Sequence, residues 1–372
     1  MHTTHIRLLA AAAALAWSSA AHAQSGLPGS EIVPGSDDRV SQVGTRGANF
    51  LHVGIGARAE GMAGAVSALI DGPNALFWNP ANIASRDNLS VFASYERLFG
   101  NSGITDVTAA LTLPIGQGAL GVGITQYSSG QIERTTENAP EGGDPAFPGT
   151  FSWIGTAFSA HYARNVTDRL TAAIGGRYAT EGIDVASSSY FAADISTRFR
   201  TGLYGLTVGA ALSNLGGSGN FNGPGVQQQV SQPRYNGQAT GRNIPFNYRT
   251  REEPIPTTVQ FGVLSSLFGD AEALFGTSTT HALNGEVDFM HANDTDVQAA
   301  VGLEYGFRKQ LFARIGKRWY NEQHSGEGFS RGFALGGGLH VPFLGRHLAL
   351  DYAFVNQGQL QHNQVLSFDF GF

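Results

Sequence analysis

Apolar and polar residues alternate along most of this chain, and the alternation continues to the last residue. One face of the segment 364–372 carries Ser367 and Asp369, and the other face is wholly apolar, with Leu366, Phe368, Phe370 and Phe372. A period of two is the pattern of a β-strand with two different faces. An aromatic face opposite a polar face suits a wall between lipid and water.

Fourteen segments with this alternation follow residue 88. They are predicted at 89–97, 105–113, 118–127, 151–163, 170–179, 190–199, 204–213, 257–264, 282–290, 297–307, 310–318, 329–341, 347–356 and 364–372. Their lengths are near the roughly 9–11 residues that a tilted strand needs to cross a bilayer, and bacterial barrels have even strand numbers. The predicted fold class is all-β: a transmembrane antiparallel β-barrel of about 14 strands with a short N-terminal plug that contains a small helix.

The links between these segments alternate between short and long, as in barrels with short periplasmic turns and long external loops. The link 180–189 is predicted as an external loop. Two links break the order, because 265–281 is long where a short turn is expected and 291–296 is short where a loop is expected. A misplaced strand would explain that region.

The composition separates a membrane barrel from soluble β proteins. Only 14% of the residues are charged, against roughly 25% in typical soluble domains. A soluble β-sandwich or solenoid would also alternate, but it would not explain the low charge or the aromatic last strand. The formal net charge is −6 without a basic cluster, which argues against a nucleic-acid partner.

The N-terminus has the features of a secretory signal peptide. Arg7 precedes an apolar run from Leu8 to Trp17, and Ala21-His22-Ala23 is a small-x-small cleavage site. We predict residues 1–23 as the signal peptide, with cleavage after Ala23. Residues 24–46 are polar and rich in Gly and Pro, so they are predicted as a flexible periplasmic arm. The expected location is the outer membrane of a Gram-negative-type cell.

Residues 47–88 are predicted to form a plug inside the barrel of residues 89–372. Gly and Ala dominate this segment, and such small residues let a backbone pack closely against surrounding walls. The stretch from Ala59 to Ile70 has no Pro and carries apolar residues at helical spacing, so it predicts a short helix ended by Asp71-Gly72-Pro73. Asn79-Pro80 predicts a fixed turn.

Short motifs within the plug carry a specific resemblance. They are Phe50-Leu51, Gly56-Ala57-Arg58-Ala59, Gly61-Met62, Gly64-Ala65 and Trp78-Asn79-Pro80-Ala81. Together they resemble the N-terminal signature of the PorV/PorQ family. These outer-membrane proteins are similar to the FadL long-chain fatty-acid transporters, whose N-terminal hatch also carries an Asn-Pro-Ala. One departure is Ala63, where the family pattern has Gly.

The resemblance implies two alternative functions. The PorV/PorQ likeness implies a non-enzymatic component or cargo carrier linked to type IX-like protein secretion at the cell surface, with secreted cargo proteins or secretion-system subunits as partners. The FadL likeness implies the alternative, a transporter of hydrophobic small molecules across the outer membrane with an apolar ligand and a gating plug. A purely structural barrel is the third alternative.

The terminal Phe372 resembles the carboxy-terminal signal that the barrel-assembly machinery reads. That machinery during biogenesis, and outer-membrane lipid, are therefore the other expected partners.

No catalytic motif stands out in the sequence. The zinc helix His-Glu-x-x-His and the nucleophile elbow Gly-x-Ser-x-Gly are both absent. The His residues are scattered without metal-ligand spacing. We therefore expect no enzyme, no cofactor and no metal.

Two sets of residues are candidates for the functional site. The plug set is Phe50, Leu51, Gly56, Arg58, Gly61, Met62, Gly64, Asp71, Asn79, Pro80 and Ala81. The lumen set consists of charged residues on predicted inward faces, namely Arg177, Asp194, Arg198, Glu286, Asp288, Glu304, Arg314 and Arg318. The lumen charges either form ion pairs that brace the plug or make a solvated wall. Arg58 is expected to pair with a wall carboxylate.

Overall fold

A computed structural model describes residues 43–231, 243–320, 330–343 and 346–372 of the 372-residue chain. The predicted signal peptide and residues 24–42 of the predicted arm lie outside the described residues. No helix in the described part of the chain is long and apolar enough to cross a membrane.

Fourteen strands form a closed barrel in which each strand pairs with its neighbours in sequence. They are β1 (Ser90–Leu98), β2 (Ile104–Ile115), β3 (Gly118–Ser128), β4 (Trp153–Asn165), β5 (Leu170–Ile183), β6 (Ala186–Arg200), β7 (Leu206–Leu215), β8 (Thr258–Phe268), β9 (His281–Ala292), β10 (Gln298–Phe307), β11 (Leu311–Trp319), β12 (Phe333–Phe343), β13 (Arg346–Asn356) and β14 (His362–Gly371). Three short strand pairs lie in the loops, at Ile132–Glu133 with Thr150–Phe151, Ser218–Gly219 with Glu253–Pro254, and Gln227–Ser231 with Asn243–Asn247.

The first and last strands close the barrel. β1 pairs antiparallel with β14 in a register that runs from Ser90 opposite Gly371 to Arg97 opposite Gln364. A closed barrel has no free sheet edge, so its backbone polar groups can pair within the wall, as a bilayer requires. The predicted fold class, an antiparallel barrel of 14 strands with a plug, is confirmed.

Every predicted strand overlaps an observed one, including those beside the two irregular links. The link 269–280 is long because it folds back onto β8. The N–H groups of Leu274 and Phe275 there donate to the C=O groups of Ser266 and Leu267. The strands in this region are therefore placed as predicted, and the unusual link lengths are real.

The predicted external loop 180–189 is wrong. β5 and β6 run on until Ile183 pairs with Ala186, and only Asp184 and Val185 connect them. Asp184 has a φ of 53°, a left-handed conformation that Asp tolerates better than most residues. The two strands therefore extend into a long hairpin.

The two faces of the strands differ as the alternation predicts. On β14, Val365 and Ser367 are buried, whereas Leu366 and Phe368 are exposed on the outside. Many inward positions are Ala or Gly, so the wall leaves room for a plug. At Gly302 of β10 an added Cβ would lie 2.8 Å from plug atoms.

Residues 43–89 lie within the barrel and contain four short helical segments. One is α-helical, α1 (Ala57–Glu60), and the others are 3-10 turns at Asn49–His52, Gly72–Phe77 and Pro80–Ser85. The largest buried cluster joins plug residues such as Met62 and Leu76 to small wall residues. The plug therefore supplies the core that the barrel would otherwise lack.

The predicted helix from Ala59 to Ile70 is wrong in extent, because α1 has a single turn. Ala63 and Gly64 follow it with left-handed φ values of 55° and 79°. The Gly64 N–H donates to the Ala59 C=O at 3.0 Å, and the Ala63 N–H donates to the Glu60 C=O at 2.9 Å. These two bonds form a Schellman cap, which ends the helix.

The plug runs from the long-loop end of the barrel to the short-turn end. The Ala48 N–H bonds Glu181 near the loop end of β5, whereas Arg86 bonds Asp369 near the turn end of β14. Short turns face the periplasm in such barrels. Residues 43–46 lie at the loop end, where Val43 lines a cavity with Asp294. The periplasmic position of the arm 24–46 stays a prediction.

Candidate functional site: the plug interface and the loop-end chamber

Arg58 of α1 is bonded to the wall by one edge of its guanidinium. Its Nε and Nη2 donate to the two carboxylate oxygens of Glu304 on β10, each at 2.9 Å. Arg314 of β11 donates to the same carboxylate at 2.7 Å and to Asp351 at 2.6 Å. Forked Arg–carboxylate pairs are among the stronger polar contacts in proteins, and they fix orientation as well as distance.

The same network continues through the plug to the turn end. Arg58 Nη1 donates to Asp71 at 3.2 Å, and Asp71 accepts two bonds from Arg86 at 2.6 and 3.0 Å. Arg86 then reaches Asp369 of β14 at 2.6 Å. A chain of alternating charges therefore links β10, the plug and β14.

Asp71 is the plug's own carboxylate in this chain of charges. Burial alone would raise its pKa, but the guanidinium of Arg86, and then that of Arg58, hold the pKa of Asp71 well below its usual range. The carboxylate is consequently ionised at neutral pH, and it can bridge the two cations.

The Asn-Pro-Ala motif fixes a second part of the plug. The Asn79 side chain caps the turn Pro80–Ser85 by accepting from the Ala81 N–H at 3.1 Å, and Pro80 occupies the first position, where no N–H is needed. The Asn79 amide also donates to the C=O groups of Ser67 and Thr197 at 2.8 and 3.0 Å. One side chain therefore joins two plug segments and β6.

Wall carboxylates also bind the plug backbone directly. Glu96 accepts from the Gly56 N–H at 2.9 Å, and Glu286 accepts from the Ala68 N–H at 2.6 Å. Asp288 accepts from the N–H groups of Val66 and Ser67 at 3.2 and 3.0 Å. Beyond α1, the N–H groups of the plug therefore donate to wall carboxylates instead of to the C=O groups of a helix.

This geometry corrects the expected role of Glu286 and Asp288 as members of ion pairs. Neither forms a salt bridge with a cation among the described residues, and Gln260 and Ser67 supply further donors to Asp288. The reason is steric, because Gly and Ala in the plug let a carboxylate approach the backbone.

A separate polar cluster lies in the wall at β4 to β7. Asp194 accepts from the Asn214 N–H at 2.7 Å, lies 2.8 Å from His161 Nε2 and 3.4 Å from Arg177. Neither His161 Nδ1 nor the hydroxyl of Ser159 has a hydrogen-bond partner in the described part of the chain. A Ser–His pair is therefore not formed.

The last two predicted lumen charges differ from each other. Arg318 donates to the Ala63 C=O at 2.8 Å and lies 3.8 Å from Glu60, so it braces the plug. Arg198 is largely buried, and its Nε has no hydrogen-bond partner among residues the structure describes. All eight predicted lumen charges point inward, but they belong to different clusters.

A chamber of about 320 Å³ lies between the plug and the wall at the long-loop end. Its lining includes His52, Val53, Glu60, Phe99, Met290 and Asp294. Ligand pockets for small molecules start at roughly 300 Å³. The chamber is therefore large enough for a small ligand.

A second cavity lies deeper, between the plug and strands β3 to β5. It measures about 20 Å³, and its lining is mostly apolar, with Phe50, Leu51, Ile55, Phe77 and Ala157. Val53 lines both this inner cavity and the chamber. Since so small a cavity has room for little more than one water molecule, the way inward past Val53 is closed.

Several solved structures share this architecture and superpose on the chain. The chain superposes on a deletion mutant of the monoaromatic hydrocarbon channel TodX with a TM-score of 0.53 at 12% identity, covering 86% of this chain and 99% of that one. For the Pseudomonas putida toluene transporter TodX the TM-score is 0.51 at 11% identity, covering 86% and 96%. For the monoaromatic hydrocarbon channel CymD it is 0.51 at 12% identity, covering 86% and 97%.

The chain has the fold of FadL-like outer-membrane barrels. No protein-family model and no curated protein matches the sequence. The fold is therefore established by shape, the outer membrane is the location that it supports, and the similar structures are channels or transporters.

Several residues of the FadL-like lumen network are not apparent as site residues from the sequence. Glu96, Arg86, Asp351 and Asp369 all contact the plug or its partners. Asp351 and Asp369 carry a signal, because each is the lone acid on the inward phase of its strand. Glu96 carries the same signal on β1, whereas Arg86 carries none, because it becomes informative only when its partners are placed beside it.

Metal binding has no structural support within the described ranges. No group of three or more His, Asp or Glu side chains there could hold a metal ion.

Proposed function

We propose that this protein is an outer-membrane channel for small hydrophobic molecules, with the plug as its gate. The observation that carries the proposal is the position of Val53, which lines both the loop-end chamber and the inner apolar cavity. Under this proposal, a molecule that moves from the chamber into the inner apolar cavity displaces this side chain. The FadL-like fold supports the same function.

The plug segment around Val53 is suited to movement. Ala48 and Gly56 each donate a backbone hydrogen bond to a wall carboxylate, Glu181 and Glu96. Between these two anchors the plug backbone makes no hydrogen bond to the wall among the described residues. The hydrogen bonds of this segment are local ones within the plug, such as that from the Trp78 indole N–H to the Ile55 C=O at 2.8 Å. Segments without a hydrogen-bond ladder to their surroundings open at lower free energy than those with one.

The opposite half of the plug is suited to staying in place. It carries the Arg58–Glu304 fork and the backbone bonds to Glu286 and Asp288. The gate is therefore expected to be the segment 49–55, with the remainder of the plug as a fixed support.

Uptake of a labelled apolar molecule tests this function. We expect cells that produce the protein to take up radiolabelled toluene several-fold faster than otherwise identical cells without it, at matched envelope integrity. A long-chain fatty acid serves as the second probe and defines the size limit. Equal initial rates with and without the protein, for both probes, would rule the channel function out.

A second candidate function is a role in type IX-like protein secretion, as a component or cargo carrier. The observation that favours it is the PorV/PorQ-like run from Phe50 to Ala65, which forms the centre of the plug. Purification in mild detergent followed by mass spectrometry tests it. Stoichiometric secreted proteins or translocon subunits would favour secretion, whereas copurified apolar molecules without protein partners would favour transport.

The terminal Phe372 extends the proposal to biogenesis. Its side chain is exposed on the outer face beside β14, where the barrel-assembly machinery could read it as a carboxy-terminal signal.

A further inference from the structure

The loop-end chamber combines an apolar part with a set of buried acceptors. Its apolar lining includes Val53, Leu98, Phe99 and Met290. The polar lining includes four side chains with acceptor oxygens that have no hydrogen-bond partner among the described residues: Asn49, Glu60, Asp294 and Gln298. The chamber therefore differs from a purely apolar pocket, because its lining contains acceptors that have no donor among the described residues.

Asp294 is the strongest of these acceptors. It lies in the link between β9 and β10, its residue is 4% exposed, and neither carboxylate oxygen has a hydrogen-bond partner within the described residues. Its Oδ1 lies 3.2 Å from His52 Nε2, but the two groups are not aligned for a hydrogen bond. A buried acceptor without a donor is destabilising, and more so when it is charged.

Asp294 also remains charged. Burial alone would raise its pKa, but the neighbouring imidazole of His52 and the guanidinium of Arg46 hold the pKa of Asp294 below its usual range. The chamber therefore presents an ionised carboxylate with unused lone pairs.

The other acceptors lie around the same space. Gln298 at the start of β10 and Asn49 of the plug each line the chamber, and each has a buried amide oxygen that lacks a donor among the described residues. Glu60 has one such oxygen and is 3.8 Å from Arg318, the one guanidinium that lines the chamber. The ionised carboxylate of Asp294 disfavours an anionic ligand beside it.

We propose that the chamber selects small amphipathic molecules whose head group donates hydrogen bonds, a hydroxyl or an amine, to Asp294 and Gln298. The apolar body of the ligand then lies against Val53, Phe99 and Met290. This inference rests on the proposed channel function and names its substrate class. It also implies that carboxylates, such as fatty-acid anions, are poor ligands for this chamber.

Four benzene derivatives of similar size separate the alternatives. Benzyl alcohol and benzylamine carry donors, toluene carries no polar group, and benzoate carries an anion. Binding to the full-length barrel in lipid nanodiscs is measured by calorimetry at neutral pH. We expect both donor ligands to bind about tenfold more tightly than toluene, as one hydrogen bond to a charged group would give, and benzoate to bind most weakly.

Variants of the chamber test the named residues. Asp294→Asn is expected to weaken benzylamine binding about tenfold and toluene binding little. Gln298→Met removes an acceptor while it keeps the length of the side chain, and it serves as a second variant should Asp294→Asn assemble poorly. Asp296→Asn is the matched control, because Asp296 is an exposed acid two residues further along the same link.

The inference is overturned if wild-type protein binds toluene and benzyl alcohol equally, or if Asp294→Asn leaves benzylamine binding unchanged. Its failure is distinguishable from failure of the channel function. Uptake of toluene without any preference for the donor ligands would refute the selectivity alone. Tight binding of the donor ligands without uptake of any probe would refute the channel function but would still support the binding site.

Discussion

Arg58 is the residue on which most of the plug's ionic contacts converge. It joins Glu304 of the wall to Asp71 of the plug, and Glu304 is itself shared with Arg314. Glu304, Asp71 and Arg314 are all charged, so removal of Arg58 would leave Glu304 with a single counterion. A buried charge that loses its partner costs much more than a surface charge does.

Arg58→Glu is therefore expected to destabilise the folded barrel by about 3–5 kcal/mol, the range for breaking a buried ion pair. The measurement is the urea midpoint at which the folded form loses its heat-modifiable mobility on gels. Arg134→Glu is the control, since Arg134 pairs with Asp184 in the exposed loops and its reversal should change the midpoint little. An unchanged midpoint for Arg58→Glu would show that the fork does not brace the plug.

Ala63 is the residue where the chain departs from the family pattern, and the fold explains why Ala is tolerated. Its φ of 55° costs a non-Gly residue roughly 1–2 kcal/mol. Its methyl group, however, packs in a buried cluster with Ala334 and Val355, and burial of one such carbon returns about 0.8 kcal/mol. Burial of the methyl group therefore offsets part of the backbone cost.

At the scale of elements, the fit between plug and wall depends on inward glycines. Met62 sits between Gly302 of β10 and Gly316 of β11, and an added Cβ at Gly316 would overlap the Met62 backbone. Backbone cannot move aside as a flexible side chain can, so the plug itself must shift.

Gly316→Ala is expected to cost roughly 1–3 kcal/mol, as overpacking does in other cores, and to lower the hydrogen-exchange protection of residues 57–64. Gly337→Ala is the matched control, because its Cβ would have only the Phe312 carbonyl oxygen nearby, at 3.9 Å. Equal protection in both variants would mean that the plug does not rely on this close approach.

The strands could be predicted from the sequence, whereas the conformation of the plug could be predicted only in part. The difference has a physical reason. A strand such as β14 buries one face and exposes the other to lipid. Its own residues therefore alternate with a period of two, which can be recognised in the sequence. The plug segment after α1 takes its hydrogen-bond acceptors from Asp288 and Glu286 on a distant strand. Local periodicity therefore suggested a helix to Ile70, which the structure replaces with a one-turn helix and wall contacts.

At the scale of the whole molecule, the site combines a predictable part with an unpredictable one. The alternation of the strands predicts that Glu304 and Arg314 point inward. Because Arg58 is a cation in the plug, it is also expected to pair with a carboxylate of the wall. The chamber does not follow from the sequence, because it joins His52 of the plug, Phe99 after β1 and Asp294 after β9. No local pattern brings these three segments together before the barrel closes.

Under the proposed channel function, Val53 marks a narrow point on the route inward. The chamber holds about 320 Å³ and the inner cavity about 20 Å³, and Val53 lines both. The firm contacts of the plug lie on the far side of this point, around Arg58 and Asp288. Under that function, a local movement of the segment 49–55 is expected to open the path inward.

The most direct test of this account is the initial rate of toluene uptake by cells that produce Val53→Trp. The indole would fill the boundary between the chamber and the inner cavity, so we expect uptake to fall several-fold while the barrel stays folded. Val166→Trp, at an exposed valine in the turn between β4 and β5, should retain the wild-type rate. Equal uptake by wild type and Val53→Trp would contradict a route past Val53 and, with it, the plug as the gate.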